Sequence, residues 1–159
     1  MDRKLLRIYM QDHLAGATGG LELARRARGA NEATPYGEPL AKLADDIEAD
    51  RRALESVMHD LGFGADRAKN IAFWVAEKAG RLKLNGQFTG YSPLSRMIEL
   101  EGLITGVNGK RSLWLTLRDL ATSVPELDAD RLGRLIERAE QQLATLHELR
   151  ARAGREAFA

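Results

Sequence analysis

The sequence predicts an all-α protein, a four-helix bundle with a short extra helix in its long second connection. Three observations predict it. Apolar residues recur at every third or fourth position through four segments. The four prolines, Pro35, Pro39, Pro93 and Pro125, all fall outside those segments or in their first turns. The segments are of matched length, each on the order of 40 Å at ~1.5 Å per residue, which favours a bundle over a globin-like pile.

The first helix is expected over 2–28, with its stripe at Leu6, Met10, His13, Ala17, Gly20 and Ala24 and with Gly29 as its stop. The second, over 38–61, has Pro39 in its first turn. It reads Leu43, Ile47, Asp50, Leu54, Val57 and Leu61, an alternation of fours and threes broken only by the aspartate. The third, over 92–121, has Ser92 as N-cap and Pro93 at the first helical position. The fourth, over 128–156, takes Asp128 or Asp130 as its cap and repeats the alternation at Leu132, Ile136, Ala139, Leu143 and Leu146. Between the second and third helices, about thirty residues are too many for a structureless loop. Ala68, Ile71, Ala72, Val75, Ala79 and Leu82 form a further stripe there, so a short helix is expected over 65–82. An extended stretch around Gly86 and Gly90 follows it. The whole chain, 1–159, reads as one domain.

Composition excludes several classes. The 24 Lys and Arg nearly cancel 23 Asp and Glu. The signs alternate along helices, as in Arg131, Arg134, Glu137, Arg138 and Glu140. That is the pattern of solvated, i,i+4-paired faces and not the basic stripe of a nucleic-acid binder, so no nucleic-acid partner is expected. No apolar run approaches the ~18 residues of a spanning helix, and no membrane partner is expected. The basic stretch with Lys69, Trp74, Lys78, Arg81 and Lys83 is read as covering the side of the bundle or contacting a second copy. A homodimer is the expected assembly. With no cysteine there is no disulfide and no thiol chemistry. The start, Met1-Asp2-Arg3-Lys4, leads into an amphipathic stretch instead of a signal peptide's apolar core, so a cytoplasmic location is expected.

Charges on an apolar seam are costly unless paired. Asp50 and Arg51 lie on or beside the seam of the second helix, and Asp12 and His13 on that of the first. In an antiparallel hairpin Asp12 and Arg51 come level to within about a turn. What completes this layer depends on the direction of the third helix. If the connection runs the length of the bundle, the matching levels fall near Arg111 and near Glu137 or Glu140, making an ion-pair network. In an up-down-up-down bundle they fall near Glu101 and His147, which gathers Asp12, His13, Asp50, Glu101 and His147 around one arginine.

Two helical hairpins joined by a long connection resemble the ferritin-like superfamily, in which the third helix runs parallel to the second. A faint half-repeat goes with the resemblance. Met58-His59-Asp60-Leu61 is similar to Leu146-His147-Glu148-Leu149, and Gly16-xxx-Gly20 to Gly102-xxx-Gly106, at nearly equal offsets. The resemblance implies a dinuclear iron or manganese site, with a Glu from each of two helices and a Glu-x-x-His pair from each of the others. This chain departs from that pattern. Glu48-Ala49-Asp50-Arg51 has arginine where histidine belongs, and Glu137-Arg138-Ala139-Glu140 has no histidine. Arginine cannot ligate a metal and brings a fixed positive charge. The expectation is therefore no cofactor and, in the metal's place, a polar core layer drawn from Asp12, His13, Asp50, Arg51, Glu101, Arg111, Glu137 and Glu140. Were iron or manganese held, its ligands would come from Asp12, His13, Glu48, Glu101, Glu140 and His147.

The run Ala15-Gly16-Ala17-Thr18-Gly19-Gly20, and Gly102, Gly106 and Gly109, each sacrifice helix propensity, roughly 1 kcal/mol per glycine. They allow either close approach of backbones and room for a bulky neighbour such as Trp114, or space for a ligand. There is no nucleophile elbow and no phosphate loop of Walker spacing, so no catalytic residue is assigned. The expected function is non-enzymatic binding or interaction. The alternatives are a carboxylate-ligated metalloprotein or oxidoreductase, and a small-molecule carrier.

Overall fold

A computed structural model describes residues 1–64 and 91–159. The helix expected over 65–82 and the stretch after it lie outside the described residues. The rest is a four-helix bundle: α1 (Arg3–Ala30), α2 (Gly37–Asp60), α3 (Pro93–Leu120) and α4 (Ala129–Phe158). No strand occurs among the described residues.

Local chemistry sets the ends. Asp2 caps α1 by accepting from the backbone N–H groups of Lys4 and Leu5. Ser92 accepts from Ser95 N–H ahead of Pro93, and Asp128, not Asp130, accepts from Arg131 N–H. Gly29 does not stop α1. The helix runs on to Ala30, where the buried Asn31 takes over the last carbonyls. Its amide donates to Ala27 O at 2.7 Å and its N–H to Arg28 O at 3.0 Å. α2 ends in a Schellman motif: Gly62 sits at φ 70°, with Gly62 N–H donating to His59 O and Phe63 N–H to Met58 O. Phe63 and Met58 then pack in the same core cluster.

Ion pairs show the directions of the helices. Arg28 meets Asp45 and Arg25 meets Glu48, while Arg3 donates to Leu61 O, so α1 and α2 are antiparallel. α3 begins where α1 ends: Arg26 pairs with Glu99 at 2.7 Å, and Arg96 Nε donates to Asn31 Oδ1 at 2.6 Å. α3 is therefore antiparallel to α1 and parallel to α2. α4 returns antiparallel to α3, through Arg111–Glu140, Arg150–Glu101 and Arg96–Glu156. The two ends of the long connection thus lie at opposite ends of the bundle, and the up-down-up-down arrangement is excluded. In cross-section α1 packs on α2 and α3, and α4 packs closely on α3 and lightly on α2.

Two apolar clusters fill the interior. The lower one joins Leu6, Met10, Leu54, Leu61, Trp114 and Leu132. The upper one joins Leu21, Tyr36, Leu43, Leu103, Val107 and Leu146. The seam expected on α2 is buried at every position from Leu43 to Leu61, Asp50 included. On α1 the expected stripe departs from the packed core at its middle. His13, Ala17 and Gly20 border a cleft, and Leu14, Ala15 and Leu21 are buried instead. Small residues at 16–20 cannot fill the space that the periodicity assigns them.

Candidate functional site

Between the two apolar clusters lies a polar layer centred on Asp50, which is 1% exposed. One turn above it Ile47 belongs to the upper cluster, and one turn below Leu54 belongs to the lower. Because α2 and α3 face each other across the diagonal, Lys110 reaches through the interior to Asp50. Asp50 Oδ2 accepts from Lys110 Nζ and, at 3.0 Å, from Gln142 Nε2, and Lys110 also donates to Gln142 Oε1. On the other side Arg138 Nη2 stands 2.5 Å from Asp50 Oδ1 as an ion pair without hydrogen-bond alignment. Burial pushes the Lys110 pKa below its ordinary value, and the Asp50 charge opposes that shift. One carboxylate thus faces two cations.

A cleft of ≈330 Å³ opens beside this layer, between α1 and α3 with α2 as its floor. Asp12, His13, Asp50 and Arg51, the residues singled out on the first two seams, all line it. Its walls include Ile47, Leu54, Leu103 and Val107, and five glycines border it: Gly16, Gly20, Gly102, Gly106 and Gly109. The glycines do not serve close packing of backbones. Among the described residues, a Cβ placed on Gly16, Gly20, Gly106 or Gly109 would meet nothing within 4 Å, and only at Gly102 does a side chain, Leu23, come to 3.1 Å. Trp114 lines the cleft, is 0% exposed, and has an indole N–H with no hydrogen-bond partner among the described residues.

Arg51 donates to Glu55 one turn along α2 at 2.8 Å, and its buried Nε has no partner among the described residues. His13 stacks edge-on against Tyr9, and burial pushes its pKa below the ordinary 6.5, against the pull of Asp12. Asp12 is exposed at the rim.

The other sequence-derived candidates lie away from the layer. Arg111 and Glu140 pair with each other on the exposed α3–α4 flank at 2.8 Å. Glu137 is exposed, Glu101 pairs with Arg150 towards the far end, Glu48 pairs with Arg25, and His147 is exposed. The conceivable metal ligands do not converge: among the described residues no three His, Asp or Glu side chains come together as a metal would need. The positions facing Asp50 also carry lysine, arginine and glutamine, a donor-rich set unsuited to a dinuclear metal. Lys110, Arg138 and Gln142 escaped the sequence reading. Their one available signal was that each lies within two residues of the levels deduced for a full-length connection.

A second network fixes the opposite end of the bundle. Asn31 donates to Tyr91 Oη at 2.8 Å, and Tyr91 donates to Glu99 at 2.9 Å. Burial, with the Glu99 charge, pushes the Tyr91 pKa up to about 12, against the Asn31 hydrogen bond. Arg96 lies 4.3 Å from the ring centroid of Tyr36. This cluster joins α1, α3 and α4 at the point where the long connection ends.

No helix among the described residues is long and apolar enough to cross a membrane. Comparison with protein-family models, with curated proteins and with solved structures finds no match to this chain.

Proposed function

We propose that this protein is a non-enzymatic binding protein that takes a small organic molecule into the cleft between α1 and α3. The observation that carries this reading is the cleft itself: four of its glycines open onto space that no described residue fills, at a cost in helix propensity that backbone packing among the described helices does not recover. Its volume is near the lower bound of ligand pockets, about 300–1,000 Å³, and it combines apolar walls with a few polar groups gathered at one level.

In this reading the fold is a ferritin-like bundle. The parallel α2 and α3 and the long connection between them support that assignment, and the Asp50–Lys110–Arg138 layer occupies the interior position where related bundles hold metal. A homodimer and a cytoplasmic location belong to the same proposal. Leu94 and Ile98 are exposed one turn apart on α3, as a contact between copies would use, and the cysteine-free composition suits a reducing compartment. Sedimentation of the wild type and of Leu94→Glu tests the dimer.

The test of the function is mass spectrometry of a solvent extract from the purified protein, beside a Gly106→Leu variant whose new side chain fills the cleft. A stoichiometric small molecule present in the wild type and missing from the variant supports the proposal. A compound retained equally by both overturns it.

A further inference from the structure

Among the buried side chains that line the cleft, the unspent hydrogen-bonding capacity is mostly that of donors. Lys110 has three N–H donors and uses two, on Asp50 and Gln142. Arg51 spends a donor on Glu55 and keeps its buried Nε–H. Trp114 keeps its indole N–H. Every one of these groups donates. Among the buried side-chain atoms of the lining, the one acceptor without an aligned hydrogen bond, Asp50 Oδ1, already carries the Arg138 ion pair, and the further acceptors Asp12 and His13 stand at the rim.

The charges agree with the donors. Lys110 and Arg138 share the one buried carboxylate of the layer, Asp50, while Asp46, paired with Lys42, acts on Lys110 without direct contact and the Arg51 charge is met by Glu55. Asp12 is solvated at the rim, and His13, with its lowered pKa, adds no positive charge at neutral pH. Buried cations that share one carboxylate are stabilised further when another negative group approaches them.

The donors also lie towards one end. Arg51, Lys110 and Trp114 sit at the level of His13 and Leu113. Gly20, Gly102 and Leu103 border the other end, with no charged side chain among them. A ligand fitting this cleft has an apolar body and one polar terminus.

Resting on the binding function proposed above, we infer that the ligand is an amphiphilic monocarboxylate. Its carboxylate is received by Lys110, Arg51 and Trp114, and its apolar body lies along the glycine-bordered stretch towards Leu103. A single negative charge suits a layer in which two cations share one buried carboxylate. A hydrogen bond to a charged partner is stronger than one between neutral groups, so the carboxylate gains more here than a hydroxyl of the same length would.

The test is calorimetric titration of the full-length protein with octanoate, octan-1-ol and octylamine. Octanoate is expected to bind tighter than octan-1-ol by on the order of tenfold or more, with octylamine weakest. Lys110→Met is expected to reduce the octanoate-to-octanol ratio to within about threefold of unity, and Arg51→Met to reduce it in the same direction. Arg51 is paired only within its own helix, so its variant carries the test if Lys110→Met fails to fold. Equal binding of octanoate and octan-1-ol, or preference for octylamine, overturns the monocarboxylate assignment and leaves the binding cleft standing. Absence of binding by all three, or octanoate binding unchanged by Gly106→Leu, overturns both.

Discussion

Replacing the cleft glycines by alanine gives the sharpest test of whether the cleft is open in solution. A glycine inside a helix costs about 0.8–1 kcal/mol relative to alanine. None of Gly16, Gly20, Gly106 and Gly109 has a positive φ, and a Cβ at each meets nothing within 4 Å among the described residues. Each single substitution should therefore recover the propensity in full, raising the melting temperature by roughly 2–4 °C. The four methyls point into the same open space without touching packed groups, so the quadruple variant should gain about 3–4 kcal/mol, roughly 6–16 °C. Two controls bracket the expectation. At Gly102 the methyl would press on the tip of Leu23 at 3.1 Å, so the net change should be near zero. At Gly37 it would lie 2.6 Å from Glu32 O and 2.8 Å from Asn31 O, both backbone atoms, and overpacking should cost on the order of 1–3 kcal/mol. Urea unfolding followed by circular dichroism reads all of these. If the quadruple variant were less stable than the wild type, the glycines would be packed against something, and the cleft would not exist as described.

Further outcomes follow from the two polar networks. Asp50→Ala removes the buried carboxylate that Lys110 and Arg138 share, and should destabilise by about 3–5 kcal/mol in the same urea assay. Arg111→Ala breaks only an exposed pair and should cost less than about 1 kcal/mol. His13 has a lower pKa folded than unfolded, so the unfolded chain takes the proton first as pH falls below 6.5. Stability should decline across that range, and His13→Gln should flatten the decline in melting temperatures recorded against pH. Tyr91 is shifted the other way, up to about 12, so its contribution holds below pH 10 and is lost as pH rises towards 12. Tyr91→Phe should remove that alkaline loss, and ultraviolet titration should show one fewer late-ionising tyrosine.

Most of the local structure was legible in the residues. The seam of α2 reads directly from Leu43 to Leu61 because each position is either apolar or, at Asp50, paired where it falls. Ser92 and Asp128 announce their helices because a short side-chain oxygen can reach the free N–H groups of a first turn. On α1 the periodicity was misleading at His13, Ala17 and Gly20, since spacing says which face a residue takes and not whether a neighbour reaches it.

The site was half legible. Asp12, His13, Asp50 and Arg51 border one cleft because all four lie on a single antiparallel hairpin, whose short turn sets the register. The partners of Asp50 were found at the right height and the wrong azimuth. Arg111 was the residue deduced on α3, yet Lys110 faces the interior, and one residue turns a helix by about 100°. Local sequence determined four helices, the N-caps of α3 and α4, a charged residue on a buried seam and an unusual number of helical glycines. Tertiary structure alone decided that α3 runs parallel to α2, that Lys110 and Arg138 share Asp50, and that the glycines border open space. Helix ends and seams depend on neighbours a few residues away, whereas helix direction, rotation and separation are set by packing between segments far apart in the chain.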